Sequence, residues 1–211
     1  MTIYLHESDL PNDFKFSDTV AIDCETLGLN LQRDRLCLIQ ISNGDGDAHL
    51  VRIKPHYEIT SSVKESLAPN LCSMLVDKSI TKLFHYARFD IAALYSYYKV
   101  IASPVFCTKI ASKLVRTYTD RHGLKNLIQE IIEIDISKKE QLSDWGTENL
   151  SESQKEYAAS DVLYLHQIQK NLIARLAREK RTGLAKACFT FLPDRAKLDI
   201  EGWKDDDIFA H

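Results

Sequence analysis

The stretch from Thr19 to Leu29, Thr-Val-Ala-Ile-Asp-Cys-Glu-Thr-Leu-Gly-Leu, constrains this chain more than any other. Its β-branched apolar start reads as a buried strand, and Gly28 reads as the terminator of that strand. Side chains alternate along a strand, so Asp23 and Glu25 share one face while Ile22 and Cys24 share the other. Two carboxylates side by side on an apolar strand repel each other and lose hydration unless positive charge lies between them. A divalent metal would supply that charge. The motif is short, however, and with 30 acidic residues the chain repeats its spacing at Asp45-x-Asp47 and Glu133-x-Asp135. Those pairs fall in a glycine-rich turn and at a helix end, where solvated acids are ordinary. Taken alone, Asp23 and Glu25 leave a metal site and a chance match both open.

A chain of 211 residues with 45% hydrophobic and 27% charged side chains can bury a sizeable core. The pattern predicts one domain over residues 1–198 and an acidic tail over 199–211, with Asp199, Glu201 and Asp205 to Asp207. A net charge of −3 gives no global basic field, although acidic metal ligands would lower that count. Basic residues do concentrate between Lys109 and Lys125 and between Lys170 and Lys186. A solvated helix face accounts for either stretch, and is the preferred reading of the second. The five cysteines are dispersed, odd in number and never in Cys-x-x-Cys, which predicts reduced thiols in a cytoplasmic protein. The N-terminus has no signal-peptide plan, and no apolar run approaches the roughly 20 residues that span a membrane.

Residues 19–25, 36–42 and 48–53 read as three successive strands. The turn Asn43-Gly44-Asp45-Gly46-Asp47 would join the last two as a hairpin. A polar loop is expected over 55–62 and a helix from Pro69 to Val76, followed by a strand over 80–85, a helix and a short strand around 105–107. From Thr108 the pattern is helical: 108–118, 124–134, a long helix from Glu152 to about Lys180, and 184–191. Ser151-x-x-Gln154 is a capping box for the long helix. Strands first, then alternation, then helices predict an α/β domain with a mixed sheet, antiparallel N-terminal strands and helices on both faces.

Two further acids qualify the first pair. Asp90 lies at the strand-to-helix junction His85-Tyr86-Ala87-Arg88-Phe89-Asp90, where a helix N-terminus alone would favour a carboxylate. In the long helix the apolar stripe Leu165, Ile168, Leu172, Leu176 extends backwards to Asp161 and Tyr157, four residues apart and on one face. A tyrosine there is ordinary, whereas an aspartate needs a partner.

In this order the motifs resemble the DEDD superfamily of 3′→5′ exonucleases, in the tyrosine branch with RNase D-like proteins. Asp23 and Glu25 match its first motif, Phe89-Asp90 the second, and Tyr157 with Asp161 the third. Leu142-Ser143-Asp144-Trp145 is similar to a segment of RNase D relatives, and the likeness spans roughly residues 18–180. A histidine branch would place His where Glu156 stands. The chain ends about 30 residues after its long helix, leaving no room for the RNA-binding helical domains of RNase D. It looks most like the nanoRNase C family of stand-alone catalytic domains.

The resemblance implies an RNase H-like fold and a metal-dependent exoribonuclease that hydrolyses short single-stranded RNA oligonucleotides, down to dinucleotides, to nucleoside 5′-monophosphates. Trimming of longer RNA or tRNA, or a DNA exonuclease, is the alternative. It also implies a closed homo-oligomeric ring and two divalent cations, Mg²⁺ or Mn²⁺, on Asp23, Glu25, Asp90 and Asp161. All-oxygen donors suit those hard ions. Asp23 would bridge the ions, Glu25 and Asp161 would hold the water-activating one, and Asp90 would act through a water. Tyr157 would orient the attacking water. Thr26 and Leu27 would face the terminal nucleotide, and Leu29 would either wedge between bases or pack in the core. His85 and Trp145 either line the site or serve as a buried histidine and a packing anchor.

Overall fold

A computed structural model describes residues 1–55, 67–137 and 139–211. From residue 56 onward, the polar loop expected over 55–62 lies outside the described residues. The strands are β1 (Ile3–Glu7), β2 (Thr19–Thr26), β3 (Leu36–Ser42), β4 (Ala48–Arg52), β5 (Thr81–Phe84) and β6 (Val105–Cys107). They form one sheet in the order β1-β4-β3-β2-β5-β6. The β2–β3–β4 meander is antiparallel, whereas β1 on β4, β5 on β2 and β6 on β5 are parallel, so the sheet is mixed as expected.

The helices are α1 (Pro69–Val76), α2 (Ala87–Tyr98), α3 (Thr108–Val115), α4 (Leu124–Ile132), α5 (Glu152–Leu163), α6 (Leu165–Arg178) and α7 (Thr182–Glu201). Register assigns the sheet faces. Asp23 pairs with Gln40 and Gln40 with Leu50, while Glu25 pairs with Leu38, so these residues share a face. On that face Leu38 and Leu50 pack with Ala158 of α5 and with Trp145. Cys24, on the opposite face, hydrogen-bonds Asp90 of α2. Every residue of β3 is buried, as the sequence of a strand covered on both sides requires.

Three expectations need correction. Strand β1 was not anticipated: it is a short edge strand, half-exposed, and owes its place to pairing with β4 rather than to its own pattern. The long helix breaks at Tyr164 (φ −96°, ψ −7°) into α5 and α6. The helix expected over 184–191 runs from Thr182 through Pro193 to Glu201, with Phe189, Leu192 and Ala196 buried on either side of the proline. Asp199 and Glu201 therefore belong to this helix rather than to a loose tail. Asp199 is held by Arg88 at 2.5 Å and by Arg195 at 3.2 Å.

Lys82 of β5 is fully buried and its ammonium donates to the carbonyls of Asp77, Ile80 and Ser103 at 2.6, 2.7 and 2.7 Å. The segment between α1 and β5 and the segment before β6 are thereby joined through one charge.

Candidate active site

The acids come together where β2 leaves the sheet. Asp23 and Glu25 lie on the α5 side of β2, and the register with β3 shifts just beyond them, between Glu25 and Thr26. This irregularity turns the chain out of the sheet immediately after the second acid. Asp161, one helical turn from Tyr157 on α5, completes a group with Asp23 and Glu25 in which one carboxylate oxygen from each lies within 4.8 Å of the others. Asp90 is 3% exposed, in the first turn of α2, and comes from the other side of the sheet. It is not part of that group of three, yet its charge acts on both Asp23 and Glu25.

The electrostatics follow from that crowding. Burial, then the charges of Asp90, Asp161 and Glu25, push the Asp23 carboxyl well above the usual carboxylate range. Burial, then Asp161 and Asp90, push Glu25 up to about 9. Asp90 is raised chiefly by burial, with Asp161 adding to it, and the Cys24 thiol is raised by burial and then by Asp90, Asp23 and Glu25. Burial and the neighbouring acids also raise the Tyr157 phenol, so it stays protonated at neutral pH. Such a cluster keeps its negative charge only against positive charge. Its donors are all carboxylate oxygens, the set that Mg²⁺ and similar hard cations take. The residues present therefore fit a divalent metal.

The group opens into a cleft of about 570 Å³, lined by Asp23, Glu25, Asp90, Tyr157 and Asp161 and by all five further residues singled out in the sequence: Thr26, Leu27, Leu29, His85 and Trp145. Leu29 is 72% exposed, which excludes a core role, and Leu27 is 51% exposed beside it. Thr26 Oγ1 donates to the carbonyl of Gly28 at 2.6 Å, closing the turn beyond the strand. A Cβ at Gly28 would collide with the carboxylate of Asp34, which would have to move aside for any other residue there. His85 Nδ1 lies 2.8 Å from Thr108 Oγ1, and that hydroxyl donates to the carbonyl of Phe84 at 3.2 Å.

Trp145 is buried at 4% exposure, with its ring centroid 5.9 Å from that of Tyr157. It is thus both packing anchor and cleft wall. The capping box sets its position: Gln154 accepts from Ser151 N at 2.9 Å and donates to Ser143 Oγ and Asp144 O at 3.1 Å each. The same residue that starts α5 therefore fastens the Ser143–Trp145 loop beside it. Lys109 and Lys125 also line the cleft, with Tyr86 and Phe89. They were not singled out as site residues, although the basic stretch from Lys109 to Lys125 was their signal. Lys109 Nζ stands 4.0 Å over the Tyr86 ring.

Residues 6–177 match the 3'-5' exonuclease family. The chain belongs to that family. The exonuclease is 53% identical to Brucella melitensis NrnC with bound Mg²⁺, with a TM-score of 0.90 and both chains covered in full, 100% and 100%. It is 54% identical to Brucella melitensis NrnC bound to pGG, with a TM-score of 0.91, over 100% of this chain and 99% of that one. Ribonuclease D of Jannaschia sp. is 33% identical over 164 residues, 77% of this chain and 41% of that protein. The chain thus spans less than half the length of the ribonuclease D relatives it matches. Escherichia coli RNase D, 24% identical with a TM-score of 0.72, covers 89% of this chain and 48% of its own and shows the shared fold. The RNase D-like resemblance, the RNase H-like α/β fold and the 3′→5′ exonuclease class are borne out.

Proposed function

We propose that this exonuclease hydrolyses short single-stranded RNA oligonucleotides from the 3′ end, down to dinucleotides, releasing nucleoside 5′-monophosphates. The supporting observation is the convergence of Asp23, Glu25 and Asp161 within 4.8 Å, at the floor of a cleft whose lip carries the exposed Leu29. Brucella melitensis NrnC, similar over the whole chain, has been captured bound to pGG. A cleft of about 570 Å³ is in the size range of sites that enclose a small ligand.

Asp23, Glu25, Asp90 and Asp161 would hold two divalent cations, Mg²⁺ or Mn²⁺, four carboxylates offsetting four positive charges. Such ions supply an acidified water and charge neutralisation at the phosphate. The chain's own residues do the rest. Hydrolysis joins a water oxygen to phosphorus and breaks the bond to the 3′-oxygen, which leaves with a proton on the shortened oligonucleotide. Tyr157, protonated and beside Asp161, orients the attacking water through its hydroxyl rather than serving as a strong base. Thr26 and Leu27 face the terminal nucleotide through their backbone, and Leu29 wedges against its base. His85 Nε2 and the Trp145 ring complete the walls, and Lys109 and Lys125 draw the anionic chain in. Among the described residues, no helix is long and apolar enough to cross a membrane. A homo-oligomeric ring in the cytoplasm is part of this reading, and light scattering coupled to gel filtration reports the ring directly.

The deciding assay follows mononucleotide release from end-labelled RNAs of two, seven and about twenty nucleotides, with and without Mg²⁺. The fastest turnover is expected on the dinucleotide. A rate that rises with length would instead support trimming of longer RNA, and cleavage of none would end the nuclease reading.

A further inference from the structure

Gln40 is 0% exposed, in the middle of β3, and neither its amide nitrogen nor its amide oxygen has a hydrogen-bond partner. A buried amide without partners is costly, and a chain that merely needed volume here would carry leucine or methionine. Its surroundings narrow what it can serve. Across β4 its pair is Leu50, which offers nothing polar. Leu38 and Ser42, two residues to either side, share its face; the first is apolar, and the hydroxyl of the second is committed to the carbonyl of Asp47 at 2.7 Å. Across β2 its pair is Asp23. Directly paired side chains on an antiparallel ladder have Cβ atoms about 5 Å apart, within reach of a glutamine amide and a carboxylate.

From this juxtaposition we infer that Gln40 is a positioning residue for Asp23: its amide nitrogen donates to the Asp23 carboxylate when the acidic cluster is loaded with divalent cation. Carboxylates that ligate metals are commonly oriented by a hydrogen-bond donor behind them, and loss of such a donor weakens metal binding by about 10–100-fold. Gln40 stands beside Asp23 on the same face of the sheet and does not line the open cleft. The Gln40 amide nitrogen, unpaired in the structure, is available to the carboxylate it faces across the ladder. An unpaired buried amide costs stability, and a hydrogen bond to Asp23 would recover it. This rests on the proposed metal-dependent reading of the site.

The test compares Gln40→Met, similar in length and free of polar atoms, with the unmodified protein by thermal unfolding in EDTA and across a Mg²⁺ titration. Gln40→Leu serves as a second apolar variant. The expected result is a melting temperature in EDTA equal to or above that of the unmodified protein. The Mg²⁺ concentration at half-maximal thermal shift should rise by about 10-fold or more. A half-maximal concentration within twofold of the unmodified protein in both variants would overturn the role. So would a lower melting temperature in EDTA that accounts for the whole difference at every Mg²⁺ concentration, because that is a packing effect. If the unmodified protein shows no Mg²⁺-dependent shift, the metal reading itself falls, and with it the role of Gln40.

Discussion

Arg88 and Asp199 join the helix that carries Asp90 to the C-terminal helix with two hydrogen bonds, of 2.5 and 2.6 Å, across 111 residues of sequence. The same guanidinium donates to the carbonyl of Lys204, and the Lys204 ammonium meets the carbonyl of Leu29 at 3.2 Å. A continuous set of contacts therefore runs from the base of α2 through the chain end to the lip of the cleft.

Removing Arg88 should loosen that end. Asp199 keeps Arg195 at 3.2 Å, so the loss is partial, and Arg88→Ala is expected to cost about 2 kcal/mol in urea unfolding. Hydrogen exchange should accelerate over residues 203–209 before it does in α2. An unchanged exchange rate there would show that the segment is not held by Arg88.

Lys82 gives a sharper stability prediction. Its three carbonyl partners are tied to a single buried ammonium, so Lys82→Met removes all three donors at once and leaves the carbonyls facing an apolar chain. A loss of about 2–4 kcal/mol is expected, measured as a lowered urea midpoint at constant slope. A cost below about 1 kcal/mol would mean that water replaces the ammonium.

Glu130 carries the pH dependence best separated from the acidic cleft. Hydrogen bonding to Arg116, followed by Tyr118, Arg116's charge and Arg175, brings its carboxyl from an ordinary value near 4.5 down to about 2. Because the folded value lies below the unfolded one, the pair stabilises the fold fully above about pH 4.5 and loses that contribution as pH falls towards 2. One-third exposure of the carboxylate screens it, so the contribution is about 1 kcal/mol rather than the whole shift. The stability gap between the unmodified protein and Glu130→Gln should accordingly narrow as pH is lowered from 5 towards 2. A gap independent of pH would reject the linkage.

Tyr157 is cast as an orienting group, and its loss should be read in rate rather than in metal affinity. Tyr157→Phe is expected to lower kcat by about 10–100-fold at saturating Mg²⁺ while leaving the Mg²⁺-dependent thermal shift in place. Full activity in that variant would remove the role.

What could be read in the chain and what could not divide along physical lines. Asp23 and Glu25 share a face because strand period is local, and Tyr157 and Asp161 share one because helix period is local. Ser151 and Gln154 cap α5 as their spacing required, with the Ser151 hydroxyl 3.2 Å from Gln154 N. Strand β1 escaped notice because its half-exposed residues depend on β4 for their conformation. Pro193 argues locally for a break, yet α7 continues because Leu192 and Ala196 are buried against the rest of the core. The place of Lys109 and Lys125 in the cleft lining was hidden for a similar reason. A basic residue on a helix looks the same from sequence whether its face meets water or a cleft, and only the docking of α3 and α4 decides.

The crowded acids supply the last prediction. Asp23 and Glu25 are raised by burial first and by each other's neighbours second, with Asp161 among those neighbours in both cases. In the absence of divalent cation that repulsion is uncompensated, so Asp161→Asn should raise the melting temperature in EDTA by a few degrees, the equivalent of about 1 kcal/mol in a domain this size. The same substitution removes a ligand and should abolish most of the Mg²⁺-dependent thermal shift, together with at least 10³-fold of the nuclease rate. Opposite signs in the two conditions are the signature of an acid kept for its metal. If Asp161→Asn destabilises the protein equally with and without Mg²⁺, the aspartate is a structural group and the three-carboxylate cluster is not the ligand set.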